Sequence, residues 1–498
     1  MNPRAKKLLP GIFILALGLM LAGRATAQTF TSLYKFSVAA GGFYSNVFFY
    51  YNSDGCYPSG GLLLSGNTLY GVAGGGGVSG TGTVYSVNTD GSDFTVLHAF
   101  SAPTQTVNIF SSRFYNSDGG SPSGNLILSG NTLYGTAATG GTSGFGTLFA
   151  INTDGTDFTN LHTFIGPDGN APVAGLILSS NILYGVTSAG GSSNSGTVFA
   201  INTDGTGFTN LHNFTRTSDG AGPSATLLLL GGTLYGVASS GGSSSNGTIF
   251  AINTDGTGFT NLHNFTGGNN GHTPECTLLL SGNTLYGTAE AAGLQGVGTV
   301  FAMNTNGTGF TNIYNNPGFF GETDGAVQPF SGLILLGGTF FGTATAGGAG
   351  GEFSDGYVYS LKTNGTGFTI TYDFPYNYYQ NNGYISSLIL SNYTLYGTTQ
   401  LSGNPGRDTN GMSLGVGSVY SISFMPQLKI AQYKSNIVLS WPTNMSVVDT
   451  SWLNLQCATN LGSSTVWSAV SPAPSIVNGQ YTVTNAISGS QMFYRLSQ

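Results

Sequence analysis

Charge is what this sequence has least of. Charged residues are 6% of the 498, with 12 Lys and Arg against 19 Asp and Glu. So few cations exclude the electrostatic footprint that nucleic-acid binding requires, and no polybasic segment is present for anionic lipid. Cysteine is nearly as sparse. Cys56, Cys276 and Cys457 cannot all pair and sit in unlike contexts, so no disulfide framework is expected and the core must hold the fold. Beyond residue 27 no apolar run reaches transmembrane length. Helical periodicity is missing throughout. So are a nucleophile elbow, a Cys-His set and paired carboxylates at a catalytic spacing.

What is present begins at the N-terminus. Arg4, Lys6 and Lys7 precede the apolar stretch Ile12 to Ala22, and Ala25-Thr26-Ala27 supplies the small-x-small pattern of a signal-peptide cleavage site. Residues 1–27 therefore read as a signal peptide. Its removal takes away four basic residues and no acid, moving the formal net charge from −7 to −11. The expected location is outside the cytoplasm: extracellular, at the cell surface or periplasmic.

The 80 glycines accompany 26 tyrosines and 32 phenylalanines, a combination that disordered chains do not have. The tripeptide Leu-Tyr-Gly recurs at Leu69, Leu133, Leu183, Leu234, Leu285 and Leu395, and Phe340-Phe341-Gly342 fills the remaining slot. Copies lie 50 or 51 residues apart in the middle of the array and 64 apart at its start. Each reads as four short strands. In the third copy these are Leu176–Leu178, Ile182–Thr187, Thr197–Ile201 and Phe208–Phe214, with Asn-Thr-Asp-Gly at the bend before the last. Four strands per unit of this length is a β-propeller blade.

The ends of the array complement each other. The seventh copy stops after its third strand, Ser418–Ser423, while the chain opens on Phe30-Thr31-Ser32-Leu33-Tyr34-Lys35-Phe36, which matches Phe208–Phe214. Supplying the missing strand from the N-terminus covers an exposed sheet edge. The predicted fold class is all-β: a seven-bladed β-propeller over residues 28–425, closed by its N-terminal strand, with an open β-solenoid as the lesser alternative. All three tryptophans fall in residues 426–498, which read as a small Ig- or fibronectin-like β-sandwich with Trp441 as its core.

The run Leu-x-Leu-Ser-Gly-Asn-Thr-Leu-Tyr-Gly-Thr, followed by Gly-Thr-Val-Phe-Ala-Ile-Asn-Thr-Asp-Gly-Thr-Gly-Phe-Thr-Asn-Leu-His-Asn-Phe, resembles the GloVer tandem-repeat family. It is clean at residues 226–265 and recognisable across 62–424. The resemblance implies a bacterial exported or surface protein and brings no catalytic residues with it. Relatives carry differing C-terminal anchoring or sorting modules, but here Phe493 to Gln498 has neither an apolar helix nor a basic tail.

Three residue series bear on chemistry. His98, His162, His212 and His263 share one slot in the fourth strand, where other copies have Tyr34, Tyr314 and Tyr372. One per blade, they are expected to pack or hydrogen-bond and not to gather on a metal. Asp90, Asp154, Asp204 and Asp255, replaced later by Asn306 and Asn364, read as turn residues. A further acidic series precedes the first strand: Asp54, Asp118, Asp168, Asp219 and Asp324, with Asn270 and Asn382 in matching slots. It is expected to form Asx-type turns. The alternative is a ring of carboxylates around the central channel holding a cation such as Ca2+. No other cofactor is expected.

The loops between blades differ most. Phe43, Tyr44, Phe48, Phe49, Tyr50 and Tyr51 crowd the first, while Phe110, Arg113, Phe114 and Tyr115 lie in the second. Phe319 and Phe320 occupy a later loop, and Tyr376, Tyr378 and Tyr379 the next. These four loops are consecutive around a closed ring. An exposed aromatic arc marks an interaction site; the opposing expectation is that long loops fold over and bury their own rings. The function expected is a monomeric secreted or surface propeller binding a glycan or an extracellular protein through Phe48, Tyr50, Tyr51, Phe110, Arg113, Tyr115, Phe319, Phe320, Tyr376, Tyr378 and Tyr379. The rival is a polysaccharide-acting lyase or glycosidase using the acidic ring or Arg113 with loop tyrosines.

Overall fold

The computed structural model describes residues 29–44, 47–106, 113–290, 298–315, 326–329, 332–347, 356–374, 385–400 and 417–424. Beyond these it describes 428–433, 436–442, 444–445, 448–449, 454–459, 465–478, 480–486 and 492–497. The signal-peptide segment lies outside this set. Two compact units divide the chain, one of them Phe30–Ile422.

That unit is all-β, and each copy of the tripeptide sits in its own antiparallel sheet. In the third copy the strands are Ile177–Ser179, Ile182–Thr187, Thr197–Asn202 and Thr209–Asn213, paired in chain order. These ends fall within one residue of the sequence reading. In the first two copies the inner strand is divided. Cys56–Pro58 and Leu63–Ser65 both pair with Thr68–Gly75, and Gly120–Pro122 and Ile127–Ser129 both pair with Thr132–Thr139. Proline has no amide to continue the ladder, so the strand breaks there and resumes past the following small residues.

The tripeptide itself has a packing cause. Tyr184 alternates with the buried Leu183, and a Cβ on Gly185 would meet Phe199 Cζ at 2.5 Å. Glycine lets the third-strand ring lie flat across the second strand. Between sheets, Gly196 (φ +98°) lies under Pro223 of the next copy, where a Cβ would meet Pro223 Cδ at 2.6 Å.

The cores lie between sheets. Tyr134, Leu148 and Phe164 of the second copy pack with Leu183, Phe199 and Ile201 of the third, and Phe214 of the third packs with Leu234 and Phe250 of the fourth. Each buried Phe contributes roughly 1.5–3 kcal/mol by leaving water. The same arrangement joins last to first, since Tyr396 and Val419 of the seventh copy share a cluster with Leu69, Tyr85 and Phe36.

The strand Thr29–Lys35 borders Ser418–Ser423, in a sheet with Thr394–Thr399 and Ile389–Ser391. The Phe36 amide donates to the Gly417 carbonyl at 3.2 Å. A series of flat ring stacks follows the outer strands from sheet to sheet. Tyr34 lies on Phe94, His98 on Phe158, His162 on Phe208, His212 on Phe259, His263 on Phe310, Tyr314 on Phe368, and Tyr372 on Phe30. Centroids are 3.6 to 4.9 Å apart. Phe30 belongs to the same strand as Tyr34, so the series returns to its start.

The C-terminal unit, taken alone, has one sheet in which Asn436–Pro442 pairs with Lys429–Tyr433 and with Gln480–Ala486, bordered by Ser475–Val477. Another sheet pairs Asn454–Ala458 with Phe493–Ser497 and Ser468–Ala469. Leu439, Trp441 and Val483 of the first meet Leu455 of the second in one cluster. Trp441 is 1% exposed, as its sequence position predicts.

Candidate functional site

The histidine and acidic series belong together. Each connection from an outer strand to the next sheet carries the acid back onto the ring just before it. Tyr34 Oη donates to Asp54 Oδ2 at 2.7 Å, His98 Nε2 lies 2.9 Å from Asp118 Oδ2, His162 Nε2 2.8 Å from Asp168 Oδ2, and His212 Nε2 3.0 Å from Asp219 Oδ2. Where the fourth copy has His263, Asn270 takes the acid's place at 3.1 Å. The same carboxylates accept backbone amides from Ser37, Ser101, Ile165 and Thr215.

The described carboxylates are thus committed to the outer strands and do not converge around an axis. This arrangement disfavours the alternative of an acidic ring for the described members of the series. The Asx-type reading is closer, with an aromatic partner added. Among the described residues no three His, Cys, Asp or Glu side chains gather as a metal site would require. Asp324 and Asn382 lie outside the described residues. Burial pushes the His162, His212 and His263 imidazoles below the ordinary histidine range, against the pull of Asp168, Asp219 and Asn270. Burial opposes ionisation of Asp118, but hydrogen bonds from His98 and Ser101 outweigh it and hold its carboxyl below the usual range.

The turn series behaves as read. Asp204 Oδ1 accepts the Thr206 amide at 2.9 Å and its hydroxyl at 2.7 Å, and Asn306 does the same for Thr308 at 3.1 and 2.7 Å. These bonds lower the Asp204 carboxyl pKa.

The aromatic loops contain inserted hairpins. Ala40–Tyr44 pairs with Val47–Tyr51, and Gln105–Thr106 with Phe114–Tyr115. The two meet edge to face through Phe49 and Phe114, with centroids 5.6 Å apart. Both rings are buried, so at these two positions the loops cover their own aromatics; neither residue is among those expected to bind. A ring pair that excludes water here fastens one hairpin to the other. Tyr50, Tyr51 and Tyr115 remain half-buried. Tyr50 meets Tyr57 edge to face at 5.3 Å, and the Arg113 guanidinium lies 4.0 Å over the Phe145 ring. Phe48 lies within the Val47–Tyr51 strand. Phe110, Phe319, Phe320, Tyr376, Tyr378 and Tyr379 lie outside the described residues.

A cavity of about 290 Å3 is lined by the inner-strand ends of all seven copies, from Ser59 and Ser123 through Val173, Ser224, Glu275 and Gly332 to Ser386. Sequence reasoning missed it. Its one carboxylate among the described lining residues is Glu275; the residue after the inner-strand proline is Ser59, Ser123, Val173 and Ser224 in the first four copies, Glu275 in the fifth and Phe330 in the sixth.

Among the described residues no helix is long and apolar enough to cross a membrane. The Gloeobacter/Verrucomicrobia repeat matches residues 100–231 and 217–410. No curated protein matches the chain. Among solved structures, an oligogalacturonate lyase from Vibrio parahaemolyticus is 10% identical, covering 81% of this chain and 95% of its own, at a TM-score of 0.47. An oligogalacturonate lyase in complex with manganese is 9% identical over 80% of this chain and 96% of its own, at 0.45. A nidogen/laminin complex is 15% identical over 49% of this chain and 74% of its own, at 0.31. At these scores the likenesses carry no argument about chemistry.

Proposed function

The chain belongs to the Gloeobacter/Verrucomicrobia repeat family, and from that premise we propose that it is an exported, monomeric β-propeller that presents an aromatic loop face to a glycan. In this reading residues 1–27 are a signal peptide and residues 28–425 form seven blades closed by the N-terminal strand. Residues 426–498 are an Ig- or fibronectin-like sandwich. The circuit of ring stacks and the shared core of the first and last copies support closure. The two tryptophan-cored sheets support the sandwich.

One observation carries the binding role. The long first and second connections form hairpins held side by side by Phe49 and Phe114. Tyr50, Tyr51 and Tyr115 sit half-exposed beside that contact, and Arg113 is set over Phe145. Rigid tyrosines with one wet edge are suited to stacking on sugar rings while hydrogen-bonding their hydroxyls. Extending the face through Phe48, Phe110, Phe319, Phe320, Tyr376, Tyr378 and Tyr379 completes the proposed arc.

The test is a glycan array probed with residues 28–498, with and without calcium, beside the triple variant Tyr50→Ala, Tyr115→Ala, Tyr378→Ala. The expected result is specific capture that the variant loses while keeping its melting temperature. No capture, or equal capture by the variant, overturns the glycan reading and leaves a protein partner to be sought.

A further inference from the structure

The C-terminal unit reverses the charge balance of the chain. Residues 426–498 carry Lys429, Lys434 and Arg495 against the single acid Asp449, where the whole sequence has 12 Lys and Arg against 19 Asp and Glu. Apolar side chains also reach solvent here. Val466, at 78%, is the most exposed large hydrophobic residue among those described, and Met492 is exposed as well. Each adjoins a half-buried aromatic residue in the chain, Val466 preceding Trp467 and Met492 preceding Phe493.

Strand register brings these residues to one sheet face. Asn454–Ala458 lies between Ser468–Ala469 and Phe493–Ser497, with Gln456 opposite both Arg495 and Ala469, and Ala458 opposite Phe493. Leu455, Cys457, Tyr494 and Leu496 pack into the core, so alternation sends Gln456, Ala458, Phe493 and Arg495 to the opposite face. Arg495 is exposed there, yet it is held. Its guanidinium carbon lies 4.2 Å over the Trp467 ring, and its Nε donates to Gln456 Oε1 at 2.9 Å. Those two contacts fix the plane of the fork and use one of its five N–H groups. The ion pairs among the described residues join histidines to aspartates, and none of them includes Arg495.

We propose that this face binds a carboxylated polysaccharide, a chain of uronic-acid rings. Arg495 takes a ring carboxylate through its two terminal nitrogens, the fork geometry that a carboxylate matches. Because Trp467 and Gln456 already hold the guanidinium, binding pays less to order a long side chain. Ala458 and Ala469 keep the floor beside the aromatic residues level, which suits flat sugar rings and offers no pocket to an anchoring peptide side chain. Val466 and Met492 border that floor with apolar surface for ring C–H groups. A lone arginine is too little for an anionic membrane, whose recognition takes clusters of about four to eight basic residues. The proposal does not rest on the loop-face reading, since none of these residues belongs to either hairpin.

The experiment is calorimetric titration of the purified protein with mannuronate oligosaccharides and with their methyl esters, at low salt near neutral pH, repeated on Arg495→Gln. Saturable binding of the acid form, at least about tenfold weaker for the ester and for Arg495→Gln, is the expected result. Absence of saturable binding by the acid form overturns the proposal. So does equal affinity for the ester, a comparison made on the unaltered protein and therefore free of any folding defect in the variant. Binding to phosphatidylserine vesicles in place of the oligosaccharide overturns it in favour of a lipid surface. Retention of binding in the Tyr50, Tyr115, Tyr378 variant is expected, and its loss there would place the ligand on the loop face instead.

Discussion

Phe30 and Tyr372 stack nearly parallel, at 6° with ring centroids 4.3 Å apart, joining the first described strand of the chain to the outer strand of the sixth copy. Phe30 also lies 5.6 Å from the buried Tyr420 ring and 5.9 Å from Phe374. One side chain thus fastens the strand that completes the seventh sheet. Phe30→Ala is expected to cost about 2 kcal/mol of stability, read as a shift in the denaturation midpoint. Deleting residues 29–36 leaves the edge of Ser418–Ser423 bare, and concentration-dependent association in light scattering is the expected outcome.

Three copies carry a tyrosine where the other four carry phenylalanine. The hydroxyls of Tyr85, Tyr359 and Tyr420 are buried without a hydrogen-bond partner, and burial pushes all three pKa values far up. Phe149, Phe199, Phe250 and Phe301 fill the equivalent position with no polar atom to desolvate. Replacing each tyrosine by phenylalanine is expected to stabilise the protein by about 1 kcal/mol, measured by chemical denaturation. Unchanged or lower stability would mean that these hydroxyls find partners in solution.

The outer-strand histidines make stability depend on pH. His162 and His212 have folded-state pKa values below their unfolded ones, so the unfolded chain binds more protons as pH falls through the ordinary histidine range near 6.5. Their contribution is complete above that range and is lost on descending from it toward the lowered folded values. The melting temperature is therefore expected to drop below about pH 6.5. The double variant His162→Tyr, His212→Tyr adopts the Tyr34–Asp54 arrangement and should flatten that drop. A slope unaffected by the variant would place its origin elsewhere.

Charge at the exposed turns is dispensable but the oxygen is not. Asp204→Asn is expected to leave the melting temperature unchanged, because Asn306 and Asn364 make the same two bonds to Thr308 and Thr366. Asp204→Ala removes both acceptor contacts and should lower it. Equal effects of the two substitutions would show that the turn is held by backbone alone.

Much of this could be read before the fold was seen, because it is local. Strand ends in the third copy, the Asp204-type turns and the burial of Trp441 follow from short-range pattern and turn chemistry. The pairing of His98 with Asp118 and of His162 with Asp168 was hidden. The intervening connection differs in length from copy to copy, so no fixed spacing links the two series. Substitution gave no signal either, because only one member of a pair changes at a time: Asn270 faces an unchanged His263, and Tyr34 an unchanged Asp54. Glu275 was missed for the opposite reason, since it falls in a slot that also holds serine, valine and phenylalanine and so leaves no periodic trace. The inward turn of Phe49 and Phe114 depends on two loops meeting, which neither loop's sequence encodes alone.

The stack of His162 on Phe208 sets a phase for the gene as well as for the fold. Each outer strand carries both halves of the joint, a Phe that receives the ring before it and a His or Tyr that covers the Phe after it. A duplication of one repeat length therefore inserts a complete donor and a complete acceptor whatever the codon at which it begins. Lengthening such an array by a whole repeat therefore needs no new interface, and the strand Thr29–Lys35 obeys the same rule, carrying Phe30 and Tyr34 together.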